Sequence, residues 1–206
     1  MKVVMLSAIV ALLLVFGRTA HAHDHTNAQV APPWWILHLE SETEFVLTRP
    51  VVGQVFNGEV GARVSNHLFL TVSALLHVGD AIHVGGGVGL RYESPMFETM
   101  VRATFDHRIA TFPQNAIRLE VRSTWWAHRH FGLMGRVLGE NFPSPLNTEN
   151  GGEWDFVASA GAVARWNHHF TLGVLATYRL PDVTSVRHAH PEAEPGLLIF
   201  AEFAVP

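Results

Sequence analysis

Five residues of this chain have the types and the placement for acid–base chemistry: His77, His83, Asp106, Glu140 and Asp155. An imidazole beside a carboxylate can take or give a proton near neutral pH, which is what a general acid–base site requires. Their spacing alone does not select a pair. Ser185 and His188 offer a nucleophile and a base, in a segment without regular periodicity. Metal ligation is the second chemistry. Cleavage after Ala22 would leave His23-Asp24-His25 at the N-terminus. A free amine, amide nitrogens and an imidazole at the third position then suit square-planar Cu(II) or Ni(II). His188-Ala189-His190, with Glu192 and Glu194, is a further group of nitrogen and oxygen donors, of the kind Zn(II) also accepts. Flexible histidine-bearing segments bind such ions without being resident-cofactor motifs, and no cofactor is expected.

What positions the five residues is a series of segments in which apolar and polar residues alternate with a period of two, the signature of strands. Leu68, Leu70, Val72, Ala74, Leu76 and Val78 share one face, with Phe69, Thr71, Ser73, Leu75 and His77 on the other. Across a turn at Gly79-Asp80, Ile82, Val84, Gly86, Val88, Leu90 and Tyr92 oppose His83, Gly85, Gly87, Gly89 and Arg91. The same rule sets Glu98, Arg102 and Asp106 against Phe97, Val101 and Phe105, and Arg118, Glu120 and Arg122 against Ile117, Leu119, Val121 and Trp125. It continues with Arg136 and Glu140, Asp155 and Arg165, Arg179, and Glu202, each facing away from the apolar side. No charge falls on the apolar face.

The links alternate in length. Those at 65–67, 93–95, 126–130 and 167–169 are short, and those at 107–114, 141–152 and 181–196 are longer, with Gly79-Asp80 a short turn on the long-link side. A first strand near 37–49, where Glu40, Glu42 and Glu44 share a face, and a second near 56–64 bring the count to about ten, an even number that returns both ends to one side. The alternative is about eight, with an amphipathic helix holding residues 34–41. Tyr92, Phe97, Trp125, Phe131, Trp166, Phe170 and Phe203 fall at the short-link end of the apolar face, and Phe105, Trp154 and Tyr178 at the long-link end. Two aromatic belts at constant height are what amphipathic rings form at the two interfaces of a membrane. A soluble sandwich would put its largest side chains mid-strand, where this chain has Gly86, Gly135, Ala158, Ala160 and Ala162.

The N-terminus gives an address. Lys2 precedes an apolar run over 3–16, and Ala20-His21-Ala22 is a small-x-small cleavage pattern. The run is too short to span ~30 Å of hydrocarbon as a helix. The expected organisation is therefore a signal peptide over 1–22, a periplasmic segment over 23–34, and a barrel over 35–206. The chain has no cysteine, which excludes a disulfide-stapled secreted module. Lys2 is its only lysine, so the mature cations are arginine and histidine. Arginine suits enclosed ion pairs because its planar fork meets a carboxylate at two points, although a GC-rich genome gives the same bias. A net charge of −4 argues against nucleic acid as a partner.

Signal peptide, strand period and belts together make the chain similar to the small bacterial outer-membrane β-barrel proteins. A turn-then-aromatic phrase recurs in them, as in Asn66-His67-Leu68-Phe69-Leu70, His130-Phe131-Gly132-Leu133 and His168-His169-Phe170-Thr171-Leu172 here. The resemblance implies an all-β, antiparallel, up-and-down transmembrane barrel, with outer-membrane lipids and the barrel-insertion machinery as partners. Members usually end on an aromatic residue that this machinery reads, whereas this sequence runs past Phe203 to Ala204-Val205-Pro206.

In such a barrel Arg63, Arg91, Glu98, Arg102, Arg118, Glu120, Arg122, Arg136, Glu140, Asp155, Arg165, Arg179 and Glu202 face the lumen. A barrel of this size is nearly filled by its own side chains. The expected role is non-enzymatic: a charged, largely plugged lumen with outward loops, serving the envelope, adhesion or small solutes. One alternative is an outer-membrane enzyme, lipid-modifying or hydrolytic, with a His–carboxylate site at the extracellular mouth. The other is divalent-metal binding through His23, His25, His188 and His190, which fall on opposite sides of the membrane in this topology.

Overall fold

The computed structural model describes residues 34–47, 52–79, 82–109, 115–142, 153–166, 169–180 and 194–205. The chain divides between Ala31 and Pro32, and all of the described residues belong to the second unit. Its strands are β1 (Trp35–Val46), β2 (Val52–Arg63), β3 (Leu68–Val78), β4 (Ile82–Glu93), β5 (Phe97–Ile109), β6 (Asn115–His128), β7 (Phe131–Phe142), β8 (Glu153–Trp166), β9 (Phe170–Leu180) and β10 (Glu194–Val205). Each pairs antiparallel with its sequence neighbours, and β1 pairs with β10 to close the barrel. Closure leaves no strand edge, so every backbone ladder is satisfied without water.

Alternation decides which side chains face in. Along β5, Val101 and Phe105 are about half exposed while Met100, Arg102, Thr104 and Asp106 are buried. Outside, the band is Val, Leu, Ile and aromatic, and among the described residues no charged side chain points outward from mid-strand. Inside, most buried groups are polar or charged. That inversion is what hydrocarbon outside demands.

Several boundaries correct the sequence expectation. β1 is a full strand, which removes both the helix over 34–41 and the eight-strand count. Its glutamates turn inward, and it is hydrogen-bonded on both sides, to β2 and β10. β2 starts at Val52 rather than near 56, β5 continues through Ile109, and β6 runs through to His128. Trp126, placed in a link by the sequence pattern, is therefore a lumen residue and buried. The ladder slips between Trp126 and His128, where β6 carries one residue more than β7. A bulge of this kind hides the last turn of a strand from a strict period of two.

The short-link end has a repeated fastening. The carbonyl of His67 accepts from the Glu93 N–H at 2.8 Å, and His67 Nδ1 bonds the Glu93 carbonyl at 2.9 Å. His130 does the same with Arg165, at 2.8 and 3.2 Å, and His169 with Ala204, at 2.7 and 3.0 Å. Each histidine thus adds one closed ring of hydrogen bonds below the ladder of the neighbouring strand. At the remaining short turn only the backbone half is present, from Trp126 N–H to the Met96 carbonyl. The recurrent turn-then-aromatic phrase is the sequence trace of this device.

Candidate functional site: the ion-paired lumen

The barrel seam sets up the problem that the lumen solves. Glu40 and Glu202 stand opposite each other across β1 and β10, and both point inward. Two facing carboxylates in a buried interior repel strongly unless cations intervene. Arginines from distant strands do so. Arg91 on β4 reaches Glu59 at 2.8 Å, Glu202 at 3.1 Å and Glu40 at 3.3 Å. Arg122 on β6 reaches Glu40 at 2.5 Å and Glu202 at 3.5 Å. Arg102 on β5 joins Glu40 at 3.4 Å and Glu120 at 2.5 Å, and Arg136 on β7 joins Glu120 at 2.8 Å and Glu42 at 3.0 Å. His38 bridges Glu202 and, at 3.2 Å, Glu93.

Beside the ion pairs the interior holds buried threonines and one apolar cluster. Trp126, Met134, Val163, Leu175, Leu198 and Phe200 form a buried cluster on the wall of β6 to β10. Arg122 lies over the Phe200 ring at 4.8 Å and Arg165 over Trp126 at 3.8 Å, so the guanidinium planes join the two halves by cation–π contact. Beside Arg91, Arg122, Trp126 and Glu202 the remaining void is about 10 Å³. That is at most the space of one water molecule.

Exposure changes along the axis. The side chains of Arg91, Arg102, Arg122, Glu40, Glu59 and Glu120 are at most 5 % exposed, whereas Glu93, Glu98 and Arg165 at one end and Glu44, Asp155 and Arg179 at the other are 21–30 % exposed. The interior is two polar vestibules separated by a dry band of ion pairs.

All five acid–base candidates lie at the long-link end, Asp155 in the vestibule and His83, Asp106 and Glu140 buried. Asp106 and Glu140 sit 2.9 and 3.2 Å from Arg118 Nε. Arg179 contacts Glu44 at 3.2 Å, Glu140 at 3.6 Å and Asp155 at 3.8 Å. His77 Nδ1 is 3.3 Å from Arg118 Nη2, and the rings of His77 and His83 lie 5.2 Å apart. His83 Nδ1 is 3.6 Å from Asp106 Oδ2, beyond hydrogen-bond range. The carboxylates are held by arginine rather than by imidazole. Grouped in this way they form a charge network at the long-link end.

The expected lumen residues Arg91, Glu98, Arg102, Arg118, Glu120, Arg122, Arg136, Arg165 and Arg179 all carry ion pairs, with Glu98 and Arg165 bound to each other. Glu40, Glu42, Glu59 and His38 also belong to the network, although the sequence expectation did not include them among its lumen charges. The shared face of Glu40, Glu42 and Glu44 was the available signal. Among the described residues no group of three or more His, Asp or Glu is arranged to hold a metal ion. His23, His25, His188 and His190 lie outside the described residues.

Tyr92, Phe97, Trp125, Phe131 and Trp166 are exposed on the outer surface at the short-link end, as are Phe105 and Tyr178 at the other. Phe170 and Phe203 are half-buried, and Trp154 stacks on Phe156 at 6.1 Å. Register sets Phe97 beside Trp125, and Trp166, Phe170 and Phe203 side by side across three strands.

No protein-family profile and no curated protein matches the sequence. Among solved structures, the NanC porin aligns over 80 % of this chain and 98 % of its own, at 11 % identity and a TM-score of 0.57. The KdgM porin aligns over 83 % of this chain and 99 % of its own at 6 % identity and 0.47. A loop-deletion form of OmpT, an outer membrane protein of Vibrio cholerae, aligns over 75 % and 54 % at 10 % identity and 0.48. At such identity the likeness to NanC is one of fold. A closed ten-stranded antiparallel barrel with an apolar exterior is a porin-like outer-membrane fold, and the chain is an integral protein of that membrane.

Proposed function

We propose that this barrel is a non-enzymatic pathway for small solutes that its own arginine–glutamate band holds closed. The observation that carries this is the axial profile: polar, partly exposed vestibules at both ends and a dry band of paired charges between them. A barrel needed only as a structural element gains nothing from charge in its core, since apolar residues of like volume are as stable or more so. Paired charges keep a polar route in being while blocking it. The fold's likeness to a structure named a porin supports the same reading.

Planar-bilayer recording tests it. The native protein should sit near the baseline, and Glu40→Ala with Arg122→Ala, which removes one carboxylate and one guanidinium together, should give steady conductance. Folding of the pair variant is checked by heat-modifiable migration. Steady conductance of the native barrel overturns the closed band, and a folded pair variant as tight as the native protein overturns the pathway.

A further inference from the structure

Among the described residues, a concavity lies on the outer wall of the barrel. Trp34, Trp35, Val60, Gly61, Ala62, Leu70 and Val72 bound a groove of about 520 Å³ on the outer face of β1 to β3, at the short-link end. Its form follows from register. Trp35 is paired with Ala62 and Ala62 with Leu70, so a methyl group sits between an indole and an isobutyl group, all on the outward face. Leu37, Val60 and Val72 make the next row. Trp34 forms the end wall and is held there, because its carbonyl accepts from the Arg63 N–H at 2.9 Å. Trp34 is 76 % exposed, and Val60, Leu70 and Val72 are about half exposed.

The groove is continuous with the apolar band that faces hydrocarbon, which decides its occupant. Its lining offers water almost no polar partner, and an empty groove would forfeit the dispersion contacts of every wall. The material that surrounds the barrel at this depth is lipid chain. The short-link end of such a barrel is periplasmic, and indoles favour the headgroup level above the chains. We infer that the groove is a binding site for one acyl chain of a phospholipid in the periplasmic leaflet, seated on Ala62 between Trp35 and Leu70 under Trp34. A volume of this size lies within the range of small-ligand pockets. The inference rests on the membrane placement and is independent of whether the lumen conducts.

Native mass spectrometry of the full-length protein decides it, after reconstitution in vesicles of phosphatidylethanolamine and phosphatidylglycerol and extraction into a non-ionic detergent. One phospholipid per barrel should survive a detergent wash that strips the bulk lipid. Ala62→Phe, which fills the groove from its floor, should lower that retained fraction about tenfold, and Val60→Phe, filling the adjacent row, should lower it likewise. Ala103→Phe, on the outer face of β5 away from the groove, should leave it unchanged. Heat-modifiable migration confirms that each variant is folded. A native barrel that washes bare, or groove-filling variants that retain lipid as the native protein does, would overturn the site.

Discussion

Arg91 meets Glu59, Glu202 and Glu40, which come from three different strands, and its side chain is 3 % exposed. Removing it takes from Glu59 its nearest cation and from Glu40 and Glu202 one of theirs in a buried interior, and breaking a buried pair on one side costs about 3–5 kcal/mol. Arg91→Met should therefore lower stability by an amount of that order, read from the urea midpoint of the barrel in micelles. Glu98 pairs with Arg165 at the short-link vestibule, where both side chains are 21 % exposed. Water reaches this part-buried pair, so the loss of one partner is less costly there than in the central band. Glu98→Gln should accordingly shift the midpoint less than Arg91→Met does. Equal shifts for the two variants would mean that the central band is as wet as the ends, which would remove the basis for a closed pathway. The same contrast explains why sorting charges by face could not rank them: alternation tells which way Arg91 and Glu98 point, and depth along the axis is a property of the closed barrel.

Strands here are trimmed by features that a period of two does not reveal. On β4 the inward positions 85, 87 and 89 are all glycine. A Cβ added at Gly87 would lie 2.2 Å from the Ala103 carbonyl oxygen and 2.5 Å from the Thr104 side chain. The bare backbone of β4 lets β5 bend tightly against it, a use of strand glycine found where sheets curve into barrels. Gly87→Ala should cost about 1–3 kcal/mol through forced displacement of β5, whereas Gly135→Ala on β7, where an added Cβ meets nothing within 4 Å, should be close to neutral. A second element-scale test concerns the turn histidines. His130→Ala removes one side-chain hydrogen bond at a partly buried position and should cost about 0.5–1.5 kcal/mol, with a smaller loss for His67→Ala, whose bond is exposed. The sequence displayed the histidines as part of a recurring phrase but not their purpose, since the partner carbonyls of Glu93, Arg165 and Ala204 lie on neighbouring strands far along the chain.

At the scale of the whole molecule, strand number, closure and the face of each charge were legible because a barrel's alternation is local and strict. The seam was harder to read. β1 shows a polar stretch, Glu40 to Glu44, whose meaning appears only when Arg91, Arg102, Arg122, Arg136 and Arg179 arrive from five other strands. The apolar wall of Trp126, Met134 and Phe200 was hidden for a related reason: such residues on a lumen face resemble the lipid face until closure shows which side is in. Link length in the sequence predicts the orientation in the membrane, with the short turns periplasmic as in barrels of this kind. The chain contains no cysteine, so single introduced thiols report sidedness without background. Asn115 opens β6 on the long-link side, and Met96 lies in the turn between β4 and β5; both are exposed. On intact cells a membrane-impermeant maleimide should label Asn115→Cys and leave Met96→Cys untouched until the envelope is permeabilised, after which both should react. Labelling of Met96→Cys alone on intact cells would invert the barrel, move the acidic and arginine-rich vestibule of Asp155 and Arg179 to the periplasm, and place the groove under Trp34 in the outer leaflet, where its chain would have to come from a different lipid.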